Sequence, residues 1–287
     1  DKQTNFQLFA LADAAYLCIP DTFKIKGQSA KATYTGTWSD ATSYYGGRIS
    51  KQSNTNGDNI SFSLSGTTLY IAYTMLDGNT GTANVVIDGG AAIPITCYGT
   101  AGTAVLTGNG QTYRSACLRV AGLSAGTHTV SITVTSSTSS SNQVIFDWAA
   151  GNAFAPMTDG PTVIEGQVPF RFTQSGFSSY NPLVDSNVAR LKRDGLNIWE
   201  AFTENSIPIP SGIAGDGAHP NDIGHAALYN AYRWVIDSLA GISGALQLNT
   251  PSRYNLPSSY ANSGYGDNIV TGSGWTSTGW TGSWSGG

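Results

Sequence analysis

The chain has 287 residues, of which 40% are hydrophobic and 11% charged, and its formal net charge is −4. This hydrophobic content suffices for one large core or two ordinary ones, which excludes a disordered chain. The chain carries no basic patch, so we expect no nucleic-acid partner. No apolar run reaches the roughly 18 residues of a membrane-spanning helix, so we expect no membrane insertion. The opening Asp1-Lys2-Gln3 does not begin a signal peptide.

Residues 4–19 predict a helix. They are rich in Ala and Leu, open with a capping-type Thr4 or Asn5, and stop before Pro20. Apolar residues occupy nearly every face, so we expect the helix to be buried against another layer.

The chain has three cysteines, Cys18, Cys97 and Cys117. They are too few and too scattered for a disulfide framework or a zinc site. We expect buried free thiols, with a bridge between Cys97 and Cys117 as the alternative. We expect neither a metal nor a cofactor.

Residues 29–152 predict a separate all-β domain, an antiparallel sandwich or jelly roll. Alternating runs such as 59–64 and 130–134 are typical of half-buried strands. Turn signals separate the runs at the spacing of such folds. These signals are Gly66-Thr67, Asp77-Gly78, Asp88-Gly89-Gly90 and Gly108-Asn109-Gly110. His128 stands at a strand start, where we expect a structural role.

Side chains of this β segment suggest two further uses. Aromatic faces suit sugar rings, although core packing is the alternative use of each ring. Candidates for such a platform are Trp38, Tyr44, Tyr45, Tyr98 and Tyr113. Calcium prefers oxygen ligands, which Asp88, Asp147 and Asn152 offer at a spacing that is not diagnostic.

Residues 161–240 carry alternating strand and helix signals, which are typical of an α/β fold. Residues 161–164 predict a short strand, and Asn181-Pro182 predicts the start of a helix that Gly195 ends. Residues 196–202 predict a buried strand, and a second helix begins after residue 220. Strand, helix, strand and helix in this order indicate part of a parallel sheet.

The turn that precedes the last helix carries the chemistry of this segment. In Gly215-Asp216-Gly217-Ala218-His219-Pro220, the carboxylate of Asp216 stands three residues before the imidazole of His219. Asp216 can hydrogen-bond the near ring nitrogen and leave the far nitrogen free to act as a base. Pro220 suits the first helical position, and Asp222 suits the positive end of the helix. We expect His225 to pack or hydrogen-bond structurally, since its spacing from His219 is poor for shared metal ligation.

Asp216-Gly217-Ala218-His219-Pro220, followed by Gly224-His225, resembles the last block of the SGNH (GDSL-type) serine hydrolases. Some members, including esterases of bacteriophage tail spikes and fibres, carry a carbohydrate-binding-like sandwich inside the α/β domain. The resemblance implies a partial flavodoxin-like, three-layer α/β domain plus an inserted all-β sandwich. Its implied parts are a hydrolase helix in 1–28, the inserted sandwich in 29–152 and the C-terminal hydrolase part in 153–246. Residues 247–287 would be a linker and the start of a further β segment.

The resemblance implies ester hydrolysis in which His219 is the general base and then acid, oriented by Asp216. The implied substrate is acetylated bacterial surface polysaccharide, and the implied location is a virion tail or the extracellular space. A homotrimer and a monomer both remain open. The family's Gly-Asp-Ser nucleophile block and Gly-x-Asn-Asp oxyanion block do not occur in the sequence. The serine would lie in an N-terminal hydrolase part, on the same gene product or a companion chain.

Two look-alikes of the nucleophile block, Gly57-Asp58-Asn59 and Gly266-Asp267-Asn268, lack the serine and follow no strand of an α/β unit, so we assign them no catalytic role. The absent serine also motivates a second hypothesis. In it, the chain is a non-catalytic glycan-binding or structural tail module with an inert hydrolase remnant.

Overall fold

The computed structural model describes residues 14–41, 50–99, 106–108, 111–136, 138–153, 161–167, 177–203, 206–207, 211–215 and 219–240. Contacts divide the chain into two units. Unit 1 comprises residues 1–163 and 189–198, and unit 2 comprises residues 164–188 and 199–287. Within the described ranges, no helix is both long and apolar enough to cross a membrane.

Unit 1 contains a two-sheet β-sandwich, which confirms the predicted sandwich. The larger sheet consists of β1 (Ile25–Lys26), β3 (Ser39–Ala41), β4 (Ser50–Ser53), β6 (Thr68–Asp77), β9 (Tyr98–Gly99), β10 (Leu106–Gly108), β11 (Gln111–Ala121) and β13 (Val144–Gly151). The smaller consists of β2 (Thr33–Thr35), β5 (Asn59–Ser65), β7 (Thr82–Ile87), β8 (Ile93–Thr96) and β12 (Thr127–Val134). The larger sheet has the order β10-β11-β6-β13-β4-β3, with β1 beside β13 and β9 beside β6, and the smaller has the order β2-β5-β12-β7-β8. Apart from the parallel pair β6 and β9, these strands pair antiparallel.

The core of the sandwich follows the alternation in the sequence. In β5, Ile60, Phe62 and Leu64 are buried while Ser61 and Ser63 between them are exposed. Phe62 meets Phe146 of the facing sheet at a ring separation of 5.5 Å. Full burial of each such side chain contributes about 1.5–3 kcal/mol. Of the predicted turns, Gly66-Thr67 lies between β5 and β6, Gly78 follows β6, and Asp88-Gly89-Gly90 lies between β7 and β8, whereas Asn109 and Gly110 lie outside the described residues.

The larger sheet is buried on its outer face as well. In β6, Tyr70 and Ala72 are fully buried although they alternate with Leu69 and Ile71 of the inner core, and β13 is buried at every position. Residues 14–18 form the described end of a helix (α1), which confirms the predicted helix over that part. Its Tyr16 packs edge-on against Trp148 at 5.3 Å. The sandwich therefore has a second apolar layer within unit 1.

The three cysteines are buried free thiols, as predicted, and the alternative bridge between Cys97 and Cys117 is absent. Burial raises the pKa of Cys97 and of Cys117 to about 12 each.

The α/β segment comprises β14 (Val163–Gly166), α2 (Phe177–Arg193), β15 (Ile198–Ala201) and α3 (Asp222–Leu239). Val163 N donates to Asn197 O and Gln167 N to Ala201 O, so the contacts advance in the same direction along both strands. These strands therefore run parallel, joined through α2. The complete flavodoxin-like, three-layer domain remains a prediction.

The boundaries of α2 differ at one end from the prediction. The helix begins at Phe177, so Pro182 lies inside it and does not open it. It stops as predicted at Gly195, whose φ of 84° is a left-handed conformation. Gly195 N donates to Lys192 O and Leu196 N to Leu191 O, the two bonds of a Schellman stop.

Candidate functional site

His219 lies in a turn that backbone hydrogen bonds close ahead of α3. Ala214 N donates to His219 O at 2.8 Å, and Asn221 N donates to Gly212 O at 3.1 Å. Ile213 and Pro220 form an isolated antiparallel bridge between the two sides of the turn. The backbone that presents His219 is therefore fixed from both sides.

The side chain of Asn221 ties this turn to the helix. Its Oδ1 accepts from Gly224 N at 3.1 Å, which makes Asn221 the N-cap of α3. Its Nδ2 donates to Ser211 O at 2.8 Å and to Ile213 O at 3.3 Å. One amide side chain thus caps the helix and holds the loop that leads to His219.

The prediction that Pro220 takes the first helical position is wrong. The helix begins at Asp222, and Pro220 lies one residue before the cap, in the bridge of the turn. Asn is among the strongest N-cap residues, so Asn221 directly after Pro220 was a sequence signal for a helix that begins at residue 222. Asp222 does lie in the first helical turn, as predicted.

Gly224 is required by close packing. A Cβ atom there would lie 2.3 Å from Gly212 O and 2.9 Å from Pro220 Cβ. Such distances leave no room for a side chain unless the backbone shifts. This contact gives a physical reason for the second glycine of the motif.

The structure describes two of the three acid–base side chains of the motif. His219 is exposed at the end of the turn, where a substrate could reach it. Asp216 lies outside the described residues, so its pairing with His219 stays a prediction. His225 is exposed on α3, so the expectation that its side chain packs is wrong, whereas the alternative of a structural hydrogen bond stays a prediction.

Unit 2 also contains a carboxyl group with a shifted pKa. Burial and then a hydrogen bond with Asp185 raise the pKa of Glu200, on β15, to about 8. Asp185 in turn accepts from Gln167 Nε2 at 2.8 Å. Glu200 is therefore mainly protonated at neutral pH. No pattern in the sequence predicts this shift, because it comes from burial and from a partner on α2.

Trp38 and Tyr98, two residues of the proposed aromatic platform, lie in different surroundings. Trp38 lies 5.8 Å from Tyr34 and packs at the edge of the core, whereas Tyr98 is 45% exposed. Tyr44 and Tyr45, and the side chain of Tyr113, lie outside the described part. The core-packing alternative therefore holds for Trp38.

The oxygen ligands considered for calcium serve separate hydrogen-bond sets. Asp88 pairs with His128, Asp147 accepts from Ser50, and Asn152 Oδ1 accepts from the amides of residues 67 and 68. Across the described ranges, no cluster of three or more His, Cys, Asp or Glu residues could hold a metal ion. Asp58 of the first look-alike is buried in a structural set and accepts from Ser53 Oγ at 2.5 Å.

No family profile and no curated protein matches the chain. A two-domain esterase (CEX) active on acetylated mannans is similar at 11% identity and a TM-score of 0.33, over 44% of this chain and 35% of its own. A family 35 carbohydrate-binding module from Clostridium thermocellum is similar at 16% identity and a TM-score of 0.32, over 44% of this chain and 96% of its own. CBM35 from Cellvibrio japonicus Abf62 is similar at 17% identity and a TM-score of 0.33, over 44% of this chain and 89% of its own.

The chain thus spans about a third of the length of the esterase and nearly all of the clostridial binding module. At these TM-scores the likenesses decide nothing about function.

Proposed function

We propose that this chain is the histidine-bearing part of a serine-type carbohydrate esterase of the SGNH type. The proposed reaction is removal of O-acetyl groups from bacterial surface polysaccharide. The proposed setting is a bacteriophage tail spike or fibre, or a secreted protein of the same kind.

The observation that carries the proposal is the braced turn of His219. An exposed imidazole stands on backbone held by Ala214 and Asn221, directly before a capped helix. Asp216 stands three residues before His219 in the sequence. A base of this kind needs both fixed geometry and access to substrate, and His219 combines a braced backbone with an exposed side chain. The parallel pair β14 and β15 precedes the turn, as in enzymes that place their sites beyond the ends of parallel strands.

The chemistry follows from these groups. A serine hydroxyl attacks the acetyl carbonyl carbon while His219 takes the hydroxyl proton. The tetrahedral intermediate collapses, the sugar oxygen leaves, and His219 returns the proton to it. Water then attacks the acetyl-serine with His219 again as base, which releases acetate and restores the serine. Asp216 would hold the ring in the productive tautomer and stabilise its charged form.

The serine is the partner that this proposal requires. We place it in an N-terminal hydrolase part, on the same gene product or on a companion chain. Inspection of the upstream reading frame for a strand followed by Gly-Asp-Ser, and later for Gly-x-Asn-Asp, is the first check. A fluorophosphonate probe on the complete protein should then label one serine, and His219→Ala should slow that labelling.

The function itself is tested by acetate release from an acetylated bacterial glycan. The complete protein and its His219→Ala variant are compared at equal concentration. We expect the variant to lose most of its turnover, because loss of a catalytic base typically costs a factor of about 100 or more. Equal rates would exclude His219 as the base.

One observation favours a second function. The sequence contains a histidine block but no serine block, which suits a glycan-binding or structural module with an inert hydrolase remnant. Glycan binding by the intact particle, without acetate release and without phosphonate labelling, would support this alternative. Binding should be measured on the whole chain, because residues 29–152 alone would lose the contact between Tyr16 and Trp148.

A further inference from the structure

His128 is buried near the start of β12, with 3% of its surface exposed. Its Nδ1 lies 2.6 Å from Asp88 Oδ2, and its Nε2 lies 2.9 Å from Ser124 O and 3.0 Å from Gly66 O. Carbonyl and carboxylate oxygens only accept hydrogen bonds, so each ring nitrogen must donate. A ring that donates from both nitrogens is the imidazolium cation.

Three turns of the sandwich meet at this ring. Gly66 lies between β5 and β6, Ser124 lies between β11 and β12, and Asp88 follows β7. Asp88 is the charged side chain that faces the ring. The strands on either side of β12, β5 and β7, carry no ionisable side chain, and neither do residues 66–67 and 122–126. The charge of the ring is therefore balanced by one carboxylate.

The backbone conformation of Asp88 is unusual for a residue other than glycine. Its φ of 50° makes it the one non-glycine residue with a left-handed backbone in the described part of the chain. Its amide donates to Thr129 O at 2.9 Å, and its Oδ1 accepts from Thr129 N at 2.8 Å. Asp88 thus holds β12 at Thr129, the residue after His128, through both its backbone and its side chain. These hydrogen bonds offset the unfavourable backbone conformation of Asp88.

We propose that His128 and Asp88 form a pH-sensitive clamp, which ties three turns together at one end of the sandwich and loosens when the ring loses a proton. A neutral imidazole keeps one N–H. It must then give up either the carboxylate of Asp88 or the carbonyls of Gly66 and Ser124. This inference does not depend on the proposed esterase activity.

The sign of the effect follows from the two partners. The hydrogen bond to Asp88 raises the pKa of His128 above its unfolded value of about 6.5. The contribution of His128 to stability is therefore complete below about pH 6.5 and is lost as the pH rises through the folded pKa. The bond with His128 lowers the pKa of Asp88, so its contribution is lost as the pH falls through that lowered value. The clamp is fully charged between these two transitions.

The test is an NMR titration of the whole chain labelled at histidine Cε1. The chain has three histidines, and the buried ring of His128 is assigned by its nuclear Overhauser contacts to neighbouring residues. We expect the His128 resonance to titrate above pH 6.5. Through the same transition, amide exchange should speed up at Thr129 and in residues 122–126, after correction for the intrinsic pH dependence of exchange.

Two variants assign the effect. Asp88→Asn keeps the shape of the side chain and should lower the pH of the His128 transition. Asp40→Asn removes an exposed acid elsewhere in the sandwich and should leave the transition unchanged. If the His128 resonance of the unmodified chain does not titrate above pH 6.5, or if amide protection is constant through its transition, the clamp is refuted. The unmodified chain alone decides the question if a variant fails to fold.

Discussion

The buried carboxylate of Asp194 joins the end of α2 to two strands of the larger sheet. Its Oδ2 accepts from Tyr70 OH and, at 2.7 Å, from Arg119 Nε, and its Oδ1 accepts from Arg119 Nη2. Asp194 is 8% exposed and Tyr70 is fully buried. Asp194→Ala would therefore leave a buried phenol and a guanidinium without their acceptor.

The size of the loss can be worked from these contacts. Removal of one partner of a buried ion pair costs about 3–5 kcal/mol. The side chain of Arg119 is 20% exposed, so water recovers part of its solvation. We therefore expect the low end, about 3 kcal/mol, in the free energy of unfolding. A loss of this size lowers Tm by roughly 6–12 °C in a domain of 150–250 residues.

Denaturant unfolding followed by circular dichroism measures this change. Arg119→Met and the double variant complete a thermodynamic cycle, which isolates the pair from the effect of each substitution alone. Asp40→Ala is the matched control, because the side chain of Asp40 in its pair with Lys51 is 51% exposed, and it should change stability little. If Asp194→Ala costs no more than Asp40→Ala, or if the cycle shows no coupling, the reasoning from burial is refuted.

Three further predictions concern the His219 turn and the thiols. Gly224→Ala should destabilise the start of α3 by about 1–3 kcal/mol, because its Cβ meets a carbonyl oxygen. Gly215→Ala, in the same turn with open space around it, should be nearly neutral in thermal unfolding. Asn221→Ala should cost about 1–2 kcal/mol and raise amide exchange in the first turn of α3, whereas unchanged exchange would contradict its capping role. Cys97 and Cys117 should resist a thiol reagent at pH 8 and react fully in denaturant, and reaction of the folded chain would show that they are accessible.

The sandwich could be predicted because its signals are local. Alternation in β5 and β12, and turn pairs such as Asp88-Gly89, directly encode which side chains face inward and where the chain reverses. Gly195 likewise marked the end of α2 correctly, since a left-handed stop favours glycine.

Other features depend on contacts that no local pattern records. The burial of Tyr70 and Ala72 on the outer face of the larger sheet comes from a second layer of unit 1. The charged state of His128 comes from two turns and an aspartate far along the chain. Helix α2 also begins ahead of Pro182, although Asn181-Pro182 is a local signal for a helix start.

For the His219 site, the sequence identified the motif but not the way it is braced. Only the folded structure shows that Asn221 holds Ser211 and Ile213, and that Gly212 O leaves no room for a Cβ atom at Gly224. The pairing of Asp216 with His219 remains a prediction, as do the serine partner, the glycan and the virion setting.

The most direct test of the proposed esterase is kcat/KM for acetate release by the complete protein, by His219→Ala and by His225→Ala. Both histidines are exposed and lie close in sequence, so the second variant controls for the loss of an imidazole from this region. We predict a loss of at least about 100-fold for His219→Ala and near-unchanged turnover for His225→Ala. Equal turnover by all three proteins, or an equal loss in the two variants, would contradict the assignment of His219 as the catalytic base.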